Sequence, residues 1–266
     1  MTPQDIRDAA DALIEADRSG RQIGLLSLRY PGMTLDDAYA VQAALITAKY
    51  AQGRRKIGWK IGLTSRAMQQ ALNITTPDSG ILLDDMLFQS GDTVQNGRYI
   101  QPRIEAEIAF VMGSSLSGAN CTREEVIAAT DHVSPALEIL DTRVLRTDPD
   151  TGQPRVITDT ISDNAANAGI VLGRSKHAIA DHDLRWVGAI VSRDDTVEET
   201  GLGAGVLNDP VTSVLWLARR LAEHGQAIEA GDIVLSGSFI RPLEAPSGSR
   251  IQADFGPFGS VKITFD

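Results

Sequence analysis

Sulfur chemistry is almost absent from this sequence: Cys121 is the single cysteine among 266 residues. Within one chain that excludes disulfide frameworks, zinc-thiolate sites and iron–sulfur clusters. Basic residues are the minority, 25 Lys and Arg against 35 Asp and Glu, giving a net charge of −10. Such a balance argues against nucleic acid or an anionic membrane surface as the main partner. A small anionic substrate stays open, because a bound cation reverses the local field inside an acidic protein. No apolar run approaches about 18 residues, and Met1–Asp8 has neither a basic n-region nor an apolar h-region. A soluble, cytoplasmic protein is the expectation. No Gly-x-Ser-x-Gly elbow or phosphate-cradling loop occurs, and Gly201-Leu202-Gly203-Ala204-Gly205 lacks the spacing of a dinucleotide loop. Of the four histidines, His177, His182 and His224 sit in polar contexts. His132 lies six residues before Glu138, but Pro135 is expected to interrupt the strand between them, so it reads as structural.

What is present centres on Arg103–Met112. Its period-two alternation predicts a strand with Ile104, Ala106, Ile108, Phe110 and Met112 on one face and Glu105, Glu107, Ala109 and Val111 on the other. Residues two apart on a strand lie roughly 7 Å apart, so the two carboxylates can converge on one cation. The alternative is a solvated outer face, yet that face continues into Ala109 and Val111, where it should stay polar. Glu138 lies in the apolar run Val133–Leu140, where an unpaired carboxylate costs several kcal/mol. Either Arg143 offsets that cost, or Glu138 joins the other two around a hard divalent ion such as Mg²⁺ or Mn²⁺, the natural partner of an all-oxygen donor set.

The chain is long enough to bury a substantial core. Thr2-Pro3-Gln4-Asp5, Thr34-Leu35-Asp36-Asp37 and Thr122-Arg123-Glu124-Glu125 read as helix starts, and Asp209-Pro210 opens another helix that Gly225 stops. A further short helix is expected over 64–72. Strands are expected at 57–63, 104–112, 136–140, 169–172, 186–193, 233–239, 250–255 and 260–265. The fold class is α+β: a mixed β-sheet roll or barrel with a small helical N-terminal region. The expected organisation is 1–75, helical with one strand, and 76–266, the mixed β body, together one integrated domain. Residues 145–156, rich in Asp, Arg, Pro and Gly, are the expected mobile loop.

Three further stretches bear on chemistry. In Ile57–Leu63, Lys60 shares a face with Gly58 and Gly62, as a strand does where a ligand approaches closely; a lysine guarding an edge strand is the alternative. Asp78, in Pro77-Asp78-Ser79-Gly80, reads ordinarily as a turn residue. The run Asp159–Gly169, rich in small and amide side chains, either lines a polar pocket or simply caps and turns.

Taken together, Gly58–Ser65, Pro102–Glu107, Pro135–Arg143, Ile161–Gly169 and Gly256–Val261 resemble the 2-hydroxypentadienoate hydratase and 4-oxalocrotonate decarboxylase family, which shares the fumarylacetoacetase C-terminal fold. The likeness runs through nearly the whole chain. It implies a Mg²⁺ or Mn²⁺ held by Glu105, Glu107 and Glu138, with Lys60 and Asp78 beside a small 2-oxo or 2-hydroxydienoic acid. Relatives acting on 2-hydroxypentadienoate carry a serine where this chain has Ala166, so Ser162 is taken as its substitute. The insertion Asp148–Arg155 and the run Asn164–Gly169 point to members acting on a seven-carbon dicarboxylate in homoprotocatechuate catabolism. A ring-like homo-oligomer, pentamer or decamer, and a complex with a decarboxylase are implied as well. Hydration of the five-carbon dienoate, decarboxylation of 4-oxalocrotonate, and a noncatalytic metal-binding partner remain the competing readings. Fumarylacetoacetase-type hydrolysis is disfavoured for want of a histidine base. Arg66, Arg143 and Arg241 are the candidate partners of a second substrate carboxylate.

Overall fold

A computed structural model describes residues 1–71, 74 and 76–266. In chain order the elements are α1 (Pro3–Ser19), α2 (Leu26–Arg29), α3 (Leu35–Ala51), β1 (Lys56–Gly62), α4 (Arg66–Ala71), β2 (Asp78–Leu83), β3 (Leu87–Gln89), β4 (Thr93–Val94), β5 (Arg103–Met112) and α5 (Arg123–Ala129). There follow β6 (Thr130–Leu140), α6 (Ile157–Ser162), β7 (Asn167–Leu172), β8 (Gly188–Arg193), β9 (Thr196–Leu202), α7 (Pro210–Glu223), β10 (Ile233–Leu235), β11 (Leu243–Glu244), β12 (Arg250–Asp254) and β13 (Ser260–Phe265). The helix starts follow their caps. Thr2, Thr34 and Thr122 each accept the N3 backbone N–H while the N3 carboxylate reaches back, and α1 stops at Gly20 in the left-handed conformation.

Among the described residues the strands form two sheets. The larger runs β2-β1-β10-β5-β6-β7-β3, with β11 pairing β5 at its outer end, and the smaller runs β4-β13-β12-β8-β9. Most pairs are antiparallel; β1 with β10, β3 with β7 and β4 with β13 are parallel. The sheets stay open and face one another, so the expected mixed-sheet body is present without a closed barrel. Their inner faces supply the main core: Trp59, Ile61, Ile104, Ile108, Phe110, Leu137 and Ile139 from the large sheet, Val191, Ile251, Val261 and Ile263 from the small one. Every even-numbered residue from Ile104 to Met112 is buried there, as the alternation predicts.

The opposite face of the large sheet carries the helical N-terminal part. Here α1 and α3 close a second, smaller core through Ala9, Leu13, Val41 and Leu45, joined by Leu25, Leu26 and Val144. Gln42 of α3 ties this layer to the sheet and to α6, donating to the carbonyls of Ser79 at 2.9 Å and Ile161 at 3.0 Å.

Several expectations are corrected. Asp78 is the first residue of β2, not of a turn; its backbone pairs with Gly62. Pro135 does not interrupt β6, which runs from Thr130 to Leu140. Its carbonyl accepts Gly173 N–H at 2.9 Å, so its missing donor falls on the β7 side, beyond the last paired residue of that strand. Residues 145–156 form a pinned turn: Asp148 Oδ1 accepts from Thr151 N and Oγ1, both at 2.8 Å, and Arg155 N donates to Arg146 O at 2.8 Å. The helix expected over 64–72 is α4; Leu72 lies outside the described residues. Strand β9 went unexpected because its largely exposed Thr-Val-Glu-Glu-Thr-Gly-Leu stretch has no buried alternation to read.

Candidate metal centre

The pairing of β5 with β6 sets Glu105 opposite Glu138, with Glu107 opposite Ala136 two residues further on. All three carboxylates therefore rise from the large-sheet face turned away from the main core, and ligand oxygens from each lie within 4.8 Å of one another. Glu107 and Glu138 are fully buried, whereas Glu105 at the rim keeps some exposure. Three carboxylates this close repel one another and have lost hydration. Burial and the Glu138 charge push Glu105 up to about 8, and burial with the charges of Glu138 and Glu105 pushes Glu107 well above the usual carboxylate range.

Their hydrogen bonds leave a defined gap. Glu107 Oε2 accepts Gly237 N–H at 2.7 Å, and Glu138 Oε1 accepts Asn167 Nδ2–H at 2.7 Å. Glu107 Oε1 and Glu138 Oε2 are buried without a partner. Orphaned carboxylate oxygens beside one another, with no sulfur or imidazole among them, fit a hard divalent cation.

Strand β1 supplies the neighbouring charge. Lys60 Nζ lies 3.4 Å from Glu138 Oε1 and donates to Ala165 O at 3.1 Å. Burial works against its charge, but Glu138, Asp78, Glu105 and Glu107 together outweigh it and hold the ammonium protonated. Asp78 stands beside it: burial raises its carboxyl, the Lys60 charge opposes that rise, and its Oδ1 has no hydrogen-bond partner. Gly62 and Gly80, beside Lys60, are explained by this crowding, whereas a Cβ on Gly58 would instead meet Ile233 O at 1.9 Å. A Cβ on Gly62 would lie 2.3 Å from Asp78 Oδ1 and 2.9 Å from Lys60 Nζ, and one on Gly80 would lie 2.6 Å from Asn164 O.

A left-handed turn closes the site. Asn164, Ala165 and Ala166 have φ of 50°, 53° and 58°, a run that costs roughly 1–2 kcal/mol per residue and must be held by its surroundings. Asn164 holds it by accepting Ile81 N–H at 2.8 Å and donating to Ile81 O at 2.9 Å. The turn thereby aims Ala165 O at Lys60 and Asn167 at Glu138. The amide-rich run was the available signal for Asn164 and Asn167, whereas nothing in the sequence marks the Gly237 amide.

The structure thus brings together Glu105, Glu107, Glu138, Lys60 and Asp78. Ser162 stands apart: it ends α6, and its hydroxyl donates to Thr158 O at 2.8 Å, one helical turn back, rather than to any of the carboxylates. Arg143 is not the partner of Glu138, since it is bound to Asp163 by an Nε contact of 2.5 Å. Arg241 is exposed and paired with Glu199, and Arg66 is exposed at the start of α4.

No family model matches the chain. Comparison with individual proteins nevertheless places it: the chain belongs to the family of 2-keto-4-pentenoate hydratases and 4-oxalocrotonate decarboxylases. It is 48% identical over 256 residues to the 2-oxo-hept-4-ene-1,7-dioate hydratase of Escherichia coli, spanning 96% of each chain. It is 38% identical over 266 residues to the 2-keto-4-pentenoate hydratase of Paraburkholderia xenovorans, covering 100% of this chain and 97% of that one. Among solved structures, the 4-oxalocrotonate decarboxylase of Pseudomonas putida G7, complexed with magnesium and adipate, superposes with a TM-score of 0.93 at 32% identity over 100% of this chain and 99% of that one. The fumarylpyruvate hydrolase of Pseudomonas aeruginosa shares the fold, with a TM-score of 0.58 at 13% identity over 79% of this chain and 89% of that one.

Proposed function

We propose that the protein is a divalent-metal-dependent hydro-lyase that adds water to 2-oxohept-4-ene-1,7-dioate, in its 2-hydroxyhepta-2,4-diene-1,7-dioate form, to give 4-hydroxy-2-oxoheptanedioate. The observation that carries this reading is the convergence of Glu105, Glu107 and Glu138 beside Lys60 and Asp78. Support for the substrate comes from the likeness to the Escherichia coli hydratase along nearly the whole of both chains. Glu105, Glu107 and Glu138 would hold a Mg²⁺ or Mn²⁺, which would supply Lewis acidity to a bound 2-keto acid. Lys60 places a fixed positive charge where the substrate's carboxylate and C2 oxygen lie, in a buried site where it needs no reorganisation. Asp78 carries the protons. Burial raises its carboxyl while the Lys60 charge opposes that rise, and its place beside the ammonium makes it the candidate general acid and base.

The proton balance is that of a conjugate addition. The 2-hydroxyl proton leaves, C5 gains one to form the α,β-unsaturated ketone, the oxygen of water bonds C4, and its proton goes to C3. No step is routed through Ser162, whose hydroxyl is engaged by Thr158. The same proposal includes a cytoplasmic homo-oligomer acting in aromatic catabolism, with residues 1–75 and 76–266 as one integrated domain.

Decarboxylation of 4-oxalocrotonate is the second reading, favoured by the close superposition on the Pseudomonas putida enzyme. Ultraviolet-monitored consumption of the seven-carbon diene diacid, of 2-hydroxypenta-2,4-dienoate and of 4-oxalocrotonate, each with Mg²⁺ and with EDTA and with products weighed by mass spectrometry, decides between them. The hydratase reading expects a Mg²⁺-dependent gain of one water on the diacid. Loss of carbon dioxide from 4-oxalocrotonate with no hydration of either diene would move the assignment to the decarboxylase.

A further inference from the structure

We propose that Arg103, Arg146 and Arg155 form a guanidinium cluster that receives the carboxylate at the far end of the dicarboxylic substrate, with Arg146 as its direct partner. This rests on the hydratase reading and names the feature that selects a diacid over a monoacid.

Position comes first. Arg103 is the first residue of β5 and pairs with Leu140, while Glu105 pairs with Glu138. Arg103 is therefore on the same sheet face as the three glutamates, two residues outward from Glu105, a step of roughly 7 Å. Six carbon–carbon bonds separate the carboxylate carbons of a seven-carbon diacid, a span of similar length. Arg103 also lines a cleft of about 460 Å³ together with Arg146, Tyr99, Ile100, Pro102 and Glu244, a volume in the range of small-molecule sites.

Charge comes second. In a chain of net charge −10, neither Arg146 nor Arg155 has a carboxylate partner among the described residues. Arg146 is half-buried and its side chain forms no hydrogen bond there, while Arg155 Nη1 donates to Thr142 Oγ1 at 2.6 Å. The nearby acids are otherwise occupied: Asp163 by Arg143, Asp159 by Ser27 and Val156, and Asp141 by the amides of Ile100 and Gln101. Glu244 pairs with Arg103 at 2.9 Å but is exposed, a contact that a substrate carboxylate can displace. Half-buried guanidinium groups with acids nearby but none directly paired to them favour an anion that comes to them.

Convergence comes third. Arg146 and Arg155 flank one pinned turn, closed by the Arg155 N to Arg146 O bond and the Thr147–Pro154 bridge. Burial and the charges of Arg103 and Arg155 bring Arg146 down to about 10. The link from this cluster to the three glutamates is Arg103 itself, which stands on their face of β5 and shares the cleft with Arg146.

The test uses the Mg²⁺-loaded protein and Arg146→Ala, Arg155→Ala and Arg146→Lys, each checked for folding by circular dichroism. The ratio of kcat/KM for the seven-carbon diacid to that for 2-hydroxypenta-2,4-dienoate is expected to fall about 10–100-fold in R146A, mainly through KM, and to recover in part in R146K. Calorimetric titration supplies a readout without turnover: adipate should bind the wild type more tightly than hexanoate and lose that advantage in R146A, with R155A intermediate. An unchanged diacid-to-monoacid ratio, or an adipate advantage that survives in both alanine variants, would overturn the cluster. Wild-type protein that hydrates only the five-carbon acid would overturn the reading beneath it, and the adipate-to-hexanoate comparison would still decide the cluster on its own.

Discussion

Replacing Glu107 by glutamine should make the metal-free protein more stable while disabling its metal site. Glu107 is fully buried and shares a space of at most 4.8 Å with Glu105 and Glu138. At an effective dielectric constant near 20, one pair of like charges at that distance costs about 3–4 kcal/mol, and Glu107 belongs to two such pairs. The attraction of Lys60 and partial protonation offset part of this, leaving about 2–4 kcal/mol to be recovered by an isosteric neutral side chain. Glutamine keeps the acceptor for Gly237 N–H, and its new amide N–H groups face the oxygens of Glu105 and Glu138 as acceptors. For a chain of this size the gain corresponds to roughly 5–10 °C in the metal-free Tm at pH 8. The sign with pH follows from the raised carboxyls. The folded metal-free protein holds protons on the triad above the ordinary value of 4.5, with Glu105 at about 8. Wild-type stability therefore falls as pH rises through that window. The advantage of Glu107→Gln should shrink toward pH 5 and be largest at pH 8. Differential scanning calorimetry in EDTA and in Mg²⁺ at the two pH values measures all of this. A metal-free Glu107→Gln protein that melts below the wild type at pH 8, or that gains as much from Mg²⁺ as the wild type does, would refute the reasoning.

The same geometry gives three further expectations. Lys60→Met leaves the buried carboxylates without their counter-charge; it should cost about 3–5 kcal/mol in EDTA at pH 8, less at pH 5, and lower kcat at least about 100-fold, as read by urea melts and diene turnover. Asn167→Ala removes the 2.7 Å bond that orients Glu138, so calorimetric Mg²⁺ affinity should drop about 10–100-fold while the fold persists. Gly62→Ala puts a methyl group against Asp78 Oδ1 and Lys60 Nζ; its kcat should fall at least about tenfold with Mg²⁺ affinity reduced far less, because the crowded groups are those proposed to act on the substrate rather than the three proposed metal ligands.

Much of this site was legible before any coordinates because β5 states its geometry locally. Alternation over ten residues separates Glu105 and Glu107 from the core side chains, and the strand forms as that alternation requires. The helix caps were equally readable, since Thr2, Thr34 and Thr122 act within four residues of themselves. Long-range partners were the illegible part. Asp78 looked like a turn because Pro77 and Gly80 flank it; only the pairing with β1 makes it a strand residue under Lys60. Arg143 was the sequence-near answer for Glu138, but Asn167 gives Glu138 an amide and β1 brings it Lys60, while Asp163 takes the arginine. The left-handed backbone at three non-glycine residues is invisible to local preference, because it is imposed by Asn164 gripping Ile81.

The two-sidedness of β5 also restricts how its gene can change. Losing or gaining one codon inside Arg103–Met112 would exchange the faces beyond the lesion, sending glutamates into the hydrocarbon interior and aliphatic side chains to the reaction site. A lesion of two codons would keep the faces but shift Glu105 and Glu107 by roughly 7 Å against Glu138, out of reach of a shared ion. Strand length is in effect quantised at its present value. A descendant acting on a longer or shorter acid must find its variation elsewhere, in segments such as 141–156 that can lengthen without disturbing the parity of the sheet.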